Sequence, residues 1–254
     1  MRLSASASRE TLLRAGSLVG LVVLWQVAAT IAASASLPSP IAVLGTLLAQ
    51  TQSGELLMHL GVTLWRVLAS FAIAMALGSA LGIAMGRSRA LDASLDGLLI
   101  VALNIPALVT IILCYIWLGL TEVAAILAVA VNKIPTVVVT VREGARAVDR
   151  RLMDVGQVFQ VGRYHTLTQV YLPQLYPYLM AAARGGLALI WKIVLVVELL
   201  GRSNGIGFQL GTYFQFFDIT SILAYTVAFA AVVLVIEALL MRPLERRLTR
   251  WRAC

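Results

Sequence analysis

The chain alternates long apolar stretches with short basic clusters, and this constrains its fold more than any motif does. The stretches are residues 16–33, 62–86, 97–119, 123–141, 178–200 and 219–241. Each is close to the roughly 20 residues a helix needs to cross the hydrocarbon of a bilayer. Hydrophobic residues make up 60% of the 254 and charged residues 13%, against about 45–50% and about 25% in soluble domains. Lipid is therefore most of this chain's solvent. The composition excludes a disordered chain, a disulfide scaffold and an ordinary cytosolic enzyme. Cys114 lies inside an apolar stretch and Cys254 is the last residue; both read as free thiols.

The first stretch has a rival reading as a cleaved signal peptide, since Ala33-Ser34-Ala35 resembles a processing site. Its length exceeds the ~7–15 residues of a signal's apolar core, so a retained span is expected. Leu37-Pro38-Ser39-Pro40 stops it, because proline lacks an N–H and restricts the residue before it. Residues 41–49 then form a short helix outside the hydrocarbon.

Orientation follows from the basic residues. Arg2, Arg9 and Arg14 precede the first stretch, Arg87 and Arg89 follow the second, and Arg142, Arg146, Arg150, Arg151 and Arg163 follow the fourth. Arg242, Arg246, Arg247, Arg250 and Arg252 follow the sixth, and the other three connections hold Arg202 alone. The split predicts an all-α polytopic membrane protein with six transmembrane helices and both termini cytoplasmic. The net charge of +8 is a membrane signal, not a nucleic-acid one. The basic tail around Trp251 reads as an anchor to anionic lipid.

Within the spans, Gly78, Gly82 and Gly86 repeat every four residues. Such a stripe admits a close helix, either in the same chain or in a second copy. Asn104 with Pro106, and Asn132 with Pro135, read as breaks that line a cavity or as simple kinks. Charges in spans need a reason. Arg66 and Arg184 are expected to snorkel, Glu198 to pair with Arg202, and Glu237 to partner Lys133 or Lys192. The candidate path residues are Asn104, Asn132, Lys133, Lys192 and Glu198. Two lysines per chain along a path would favour an anionic solute.

The informative connection is residues 142–177, far longer than a minimal membrane protein requires. Leu152, Val155, Val158, Phe159 and Gly162 recur at helical spacing, with Asp154 and Gln157 opposite. Gly162 is expected to end this short helix with a positive φ. A second helix begins near Leu167, and Pro173 marks its limit. Two short amphipathic helices suit either a docking element for a partner or a helix lying flat on lipid.

Here the sequence resembles the permease subunits of ATP-binding-cassette importers, in the nitrate/sulfonate/taurine-type branch. Their cytoplasmic signature runs Glu-Ala-Ala, three residues, Gly, nine residues, Ile, one residue, Leu-Pro. The same spacing here gives Asp154-Val155-Gly156, Gln160, Val170 and Leu172-Pro173. The family's glycine is Gln160, so the flexible joint is expected to move to Gly162. Leu37-Pro38-Ser39-Pro40, the segment from Thr63 to Leu68, Trp117-Leu118-Gly119, Arg146-Ala147-Val148-Asp149, Glu198-Leu199-Leu200-Gly201 and Leu244-Glu245-Arg246-Arg247-Leu248 are also similar to family segments, in the family's order.

The resemblance implies a type I importer transmembrane domain spanning residues 1–254, with 142–177 as its coupling loop. Asp154, Val155, Gly156, Gln160, Gly162, Leu172 and Pro173 would couple it to two cytoplasmic ATPase subunits. A second permease copy, giving a homodimer, and a periplasmic or lipid-anchored solute-binding protein would complete the assembly in a bacterial inner membrane. The solute would be small and anionic: nitrate, a sulfonate, taurine or bicarbonate. No phosphate-binding Gly-x-x-x-x-Gly-Lys-Ser/Thr occurs; Lys133 and Lys192 are each followed by Ile. ATP and Mg would therefore belong to the separate ATPase, and this chain is expected to carry no cofactor, metal site or catalytic residue. An ATP-independent secondary transporter or channel is the alternative, but the inverted repeats usual in such folds are not found.

Overall fold

The structure, a computed structural model, describes residues 2–249, with side chains described over 16–245 apart from 18, 150 and 157. Side chains of the terminal arginines up to Arg14 and from Arg246 on, of Arg150 and Gln157, and of Trp251 and Cys254 lie outside the described residues. The described elements are all helical: α1 (Arg2–Ala32), α2 (Pro40–Gln52), α3 (Glu55–Arg87), α4 (Arg89–Asn104), α5 (Ala107–Leu118), α6 (Glu122–Arg146), α7 (Arg150–Val158), α8 (Arg163–His165), α9 (Leu172–Gly201), α10 (Ile206–Gln215), α11 (Ile219–Ile236) and α12 (Arg242–Thr249). π-Helical turns at Thr166–Tyr171 and Glu237–Met241 join α8 to α9 and α11 to α12.

The helix starts follow from local chemistry. The side chains of Ser39, Ser88, Thr121 and Asp218 accept hydrogen bonds from Ala42, Leu91, Ala124 and Ser221 N–H groups, which satisfies amides that have no intrahelical partner. Pro40 occupies the first turn of α2, where its missing donor costs nothing.

Among the described residues, four helices are long and apolar enough to cross a membrane: α3, Glu122–Arg146, Arg163–Gly201 and Ile219–Glu245. The third expected stretch, 97–119, is not one straight span. α4 and α5 meet at 96°. Pro106 offers no N–H and holds Ile105 extended at φ −70°, ψ 123°, while the Asn104 side chain donates to the Ile100 carbonyl at 2.8 Å. Counted as one span, this pair gives a fifth. Among described residues, α1 offers an apolar run of only Val19–Ala32. It touches the body mainly at α2, where the Trp25 indole N–H donates to the Pro38 carbonyl at 3.1 Å.

The expected break at Asn132 and Pro135 is absent: α6 runs unbroken through both. The most extensive helix pair is α3 with α6, followed by α6 with α9. The glycine stripe produces the first. A Cβ on Gly78 would stand 2.7 Å from Val137 Cβ, on Gly82 2.8 Å from the Val138 oxygen, and on Gly86 2.5 Å from Ala145 Cβ. The stripe thus serves contact within the chain, and α6 stays one continuous helix against α3 despite its proline. The main core joins Val67 of α3, Ile111 and Tyr115 of α5, Ala124 and Ala128 of α6, and Ile190 and Val194 of α9. Leu77, Val131, Leu189 and Leu234 remain exposed, as expected where the surroundings are lipid.

Candidate coupling loop and buried charge network

The loop 142–177 folds into the short helix α7, a turn, and the start of the long helix Arg163–Gly201. Asp149 organises the entrance: its carboxylate accepts from the Arg151 N–H at 2.8 Å, and its own N–H donates to the Gln174 side chain of α9 at 2.8 Å. Met153 packs inward, toward the cluster of Val141, Tyr171 and Leu175. Leu152, Val155, Val158 and Phe159 are exposed, the last two to 78% and 77%. Gly156 is buried against Thr166, and Asp154 is exposed.

The turn after α7 corrects two expectations. The residue with positive φ is Gln160, at 51°, and not Gly162, at −57°. The bend therefore stays where the family has its glycine, held by a bond from the Val161 N–H to the Gly156 carbonyl at 2.9 Å. Gly162 instead opens the next helix, accepting from the Thr166 N–H at 3.0 Å. Pro173 does not end that helix, and Leu172 and Pro173 sit half-buried inside it. Pro173 has no donor for the Gln169 carbonyl. The preceding turn runs in π register, with the Leu172 N–H donating to the Leu167 carbonyl, and this extra residue per turn carries the chain past the proline.

At the opposite end of α3 lies a buried polar network. Arg66 is 1% exposed. Its Nε and Nη2 donate to the two Glu122 oxygens at 2.7 and 2.9 Å, and its Nη1 to Glu198 Oε1 and the Asn204 carbonyl, each at 2.8 Å. Nη2 also meets the Asn204 side-chain oxygen. Glu198, fully buried, accepts further bonds from the Thr63 hydroxyl at 3.0 Å and the Gly207 N–H at 2.8 Å. Arg202 pairs with Glu122 at 2.8 Å, and His59 Nδ1 accepts from the Gly205 N–H at 2.9 Å. The turn 202–207 is thereby tied to α3, α6 and α9. Gly205, at φ +108°, and Gly207 leave the room: a Cβ on either would collide with Glu198 or the Leu195 carbonyl.

These contacts overturn three expectations from sequence: the snorkelling of Arg66, the pairing of Glu198 with Arg202 and that of Glu237 with a lysine. Arg66 does not snorkel, and Glu198 bonds Arg66 while Arg202 bonds Glu122. Arg184 bonds Glu237 and Glu245, each at 2.8 Å, so Glu237 partners neither lysine. Arg66 and Glu122 are 56 residues apart, too far for helical periodicity to connect them. The available signal was charge balance, since a buried guanidinium requires carboxylates.

The candidate path residues do not share one environment. Lys133 is buried, with its Cε against Gly186, and has no ion pair among the described residues. Lys192 and Asn104 are exposed, Asn132 is half-buried, and Glu198 belongs to the network above. No group of histidine, cysteine and carboxylates that could hold a metal occurs among the described residues.

Comparison with known proteins agrees with this architecture. The chain is 29% identical to the taurine transport system permease protein TauC of Escherichia coli (strain K12) over 251 residues, covering 96% of this chain and 91% of that one. It is 31% identical over 235 residues to the E. coli protein SsuC, named for aliphatic sulfonates transport, covering 92% and 89%. The nitrate import permease NrtB of Synechocystis sp. (strain PCC 6803) is 26% identical over 203 residues, covering 74% and 71%. Among solved structures, an amino acid ABC transporter superposes with a TM-score of 0.59 at 19% identity, over 79% of this chain and 97% of that one. The inward-facing MetNI methionine ABC transporter gives 0.57 at 18%, over 72% and 93%. These two share the fold. The family model for the binding-protein-dependent transport system inner membrane component matches residues 74–250. The chain, with its several apolar helices, belongs to that family of multi-pass inner-membrane permeases.

Proposed function

We propose that this chain forms, with a second copy of itself, the translocation path of an ATP-driven importer, and that α7 transmits the work of a separate ATPase pair. The observation that carries the reading is α7 itself: an amphipathic helix anchored on one face by Met153, with Leu152, Val155 and Val158 exposed on the other. An apolar helix face at the end of the bundle fits a groove in a partner. The ATPases would bind Mg-ATP and a solute-binding protein would deliver solute on the other side. ATP drives the cycle only by binding one global state better than the other. Asp154, Val155, Gly156, Gln160 and Gly162 form the docking element, and Leu172-Pro173 its junction with α9. Asp154→Lys and Val155→Asp are each expected to lose ATPase co-purification while the chain stays monodisperse. Co-purification and transport at wild-type level would show instead that α7 lies flat on lipid.

In this reading residues 1–254 are one membrane domain with 142–177 as its coupling loop. α1 supplies a sixth crossing, and both termini are cytoplasmic by the basic split. Reporters fused after Gln52 and Ser203 should report outside, and those after Arg89 and Ala147 inside. One reversed reporter would sink this topology.

The solute is proposed to be a small oxyanion of the sulfonate, taurine or nitrate type. Lys192 supports this, being an exposed cation in the middle of α9. A charge there persists only if it is paired, hydrated or used, and a path between two copies hydrates it. Lys192→Met should lower uptake of a radiolabelled alkanesulfonate by roughly tenfold, the scale of one lost charge-assisted bond, with expression unchanged. Unaltered uptake would remove Lys192 from the path.

A further inference from the structure

Beneath α7 lies a cleft of two lobes, of about 570 and about 600 Å³, that share Arg87, Met153 and Tyr171 in their walls. One lobe adds Arg89, Arg146 and Asp92, and the other Arg163 and Asp154. Some of this charge is already used: Arg146 and Asp92 bond each other, and Asp92 also meets Arg142 at 3.1 Å. Arg87, Arg89 and Arg163 have no ion pair among the described residues; the acids in the walls are Asp92, already held by Arg142 and Arg146, and Asp154. Tyr171 adds an independent feature. It is 5% exposed, its hydroxyl has no hydrogen-bond partner, and the Arg87 guanidinium stands 5.5 Å over its ring. A buried hydroxyl is ordinarily satisfied. Stacking on the ring leaves the Arg87 N–H groups available.

We propose that this cleft is a binding site for a phosphate-bearing anion. Arg87 and the unused Tyr171 phenol belong to both lobes, with Arg89 in the walls of one and Arg163 in the walls of the other, and none of the three guanidinium groups is bonded to a carboxylate among the described residues. Guanidinium forks match phosphate oxygens in pairs. Basic pockets between membrane helices on the cytoplasmic side take anionic head groups, and a free phosphate presents the same oxygens. A ligand bridging Arg87 and Arg89 to Arg163 joins the membrane body to the segment that follows α7, and so sets how firmly α7 is held. The site goes beyond the permease reading; only its assignment to the cytoplasmic leaflet rests on that topology, which the reporter fusions test separately.

The test uses the purified full chain in detergent, titrated separately with short-chain phosphatidylglycerol and with inorganic phosphate, and read as binding isotherms. The double variant Arg87→Gln/Arg163→Gln should weaken binding by at least about tenfold, and Tyr171→Phe by roughly threefold. Arg242→Gln, a cytoplasmic arginine outside the cleft, should bind as wild type. Arginine-dependent binding of the lipid alone identifies a head-group site. Arginine-dependent binding of phosphate alone identifies a soluble ligand. If neither ligand's affinity responds to the folded double variant, the proposal is overturned and the arginines belong to solvent or to the ATPase. Should the double variant fail to fold, Tyr171→Phe decides by the same criterion, since it removes one oxygen and leaves the ring beneath Arg87.

Discussion

Glu198→Leu is expected to remove most of the folded protein from the membrane. The leucine leaves the Gly207 N–H without its acceptor and takes from Arg66 Nη1 and the Thr63 hydroxyl their carboxylate partner, leaving them only the Asn204 and His59 carbonyls, in a site from which water is excluded. Breaking one side of a buried ion pair costs about 3–5 kcal/mol, a large share of the roughly 5–15 kcal/mol that holds a folded domain together. The turn 202–207 should detach first, since Gly207 and Asn204 are held there by the same two side chains. Arg66→Met together with Glu198→Leu should be less damaging than Glu198→Leu alone, because Glu122 retains Arg202 at 2.8 Å and no unpaired charge stays buried. Thermal midpoints and monodispersity in detergent measure this cycle. A Glu198→Leu protein within about 0.5 kcal/mol of wild type, the range of an ordinary surface change, would mean that the network does not hold the turn.

Gly82→Leu should be comparably severe by a different mechanism. A Cβ at Gly82 would lie 2.8 Å from the Val138 oxygen and 3.1 Å from the Arg142 nitrogen. Both are backbone atoms and neither can rotate aside. In lipid there is no hydrophobic gain from helix association, so α3 and α6 depend on close packing along the stripe. Overpacking usually costs about 1–3 kcal/mol. Here α6 must move as a unit, away from Gly78 and Gly86 as well, so the upper end is expected and expression should collapse. Gly97→Ala is the control. It meets nothing within 4 Å, and alanine is better than glycine in a helix by up to about 1 kcal/mol. Wild-type stability for Gly82→Leu would show that the α3–α6 contact is looser than the structure has it.

The sequence carried the spans because membrane insertion reads hydrophobicity locally, residue by residue along the chain. α3, α6, α9 and α11 fall where the apolar stretches were marked, and the loop helix α7 falls where Leu152, Val155 and Val158 share a face. The proline breaks were harder. The span at Pro106 is broken at 96°, and Pro135, equally visible in sequence, leaves α6 one continuous helix. The difference is the neighbours. Pro135 is buried among packed helices that keep the chain helical, while Asn104, Ile105 and Pro106 have no such support and stand exposed. In the loop, Gly162 was the natural residue for a left-handed bend, yet Gln160 adopts it, because the bend is positioned by the bond from Val161 to Gly156 and not by the most permissive residue nearby.

What the sequence determined by itself is the protein's class: a helical membrane chain with basic clusters on alternate connections, a long amphipathic loop, and a motif order matching one family of permeases. What only the tertiary structure decided is who partners whom among the few charges. Arg66 finds Glu122 and Glu198 at separations of 56 and 132 residues, Arg184 finds Glu237, and Lys133 finds no acid among the described residues. Hydrophobicity is a property of each segment and can be summed along the chain. A buried charge is stabilised only by a specific atom within about 3 Å, and which atom that is depends on how α3, α6 and α9 pack against one another.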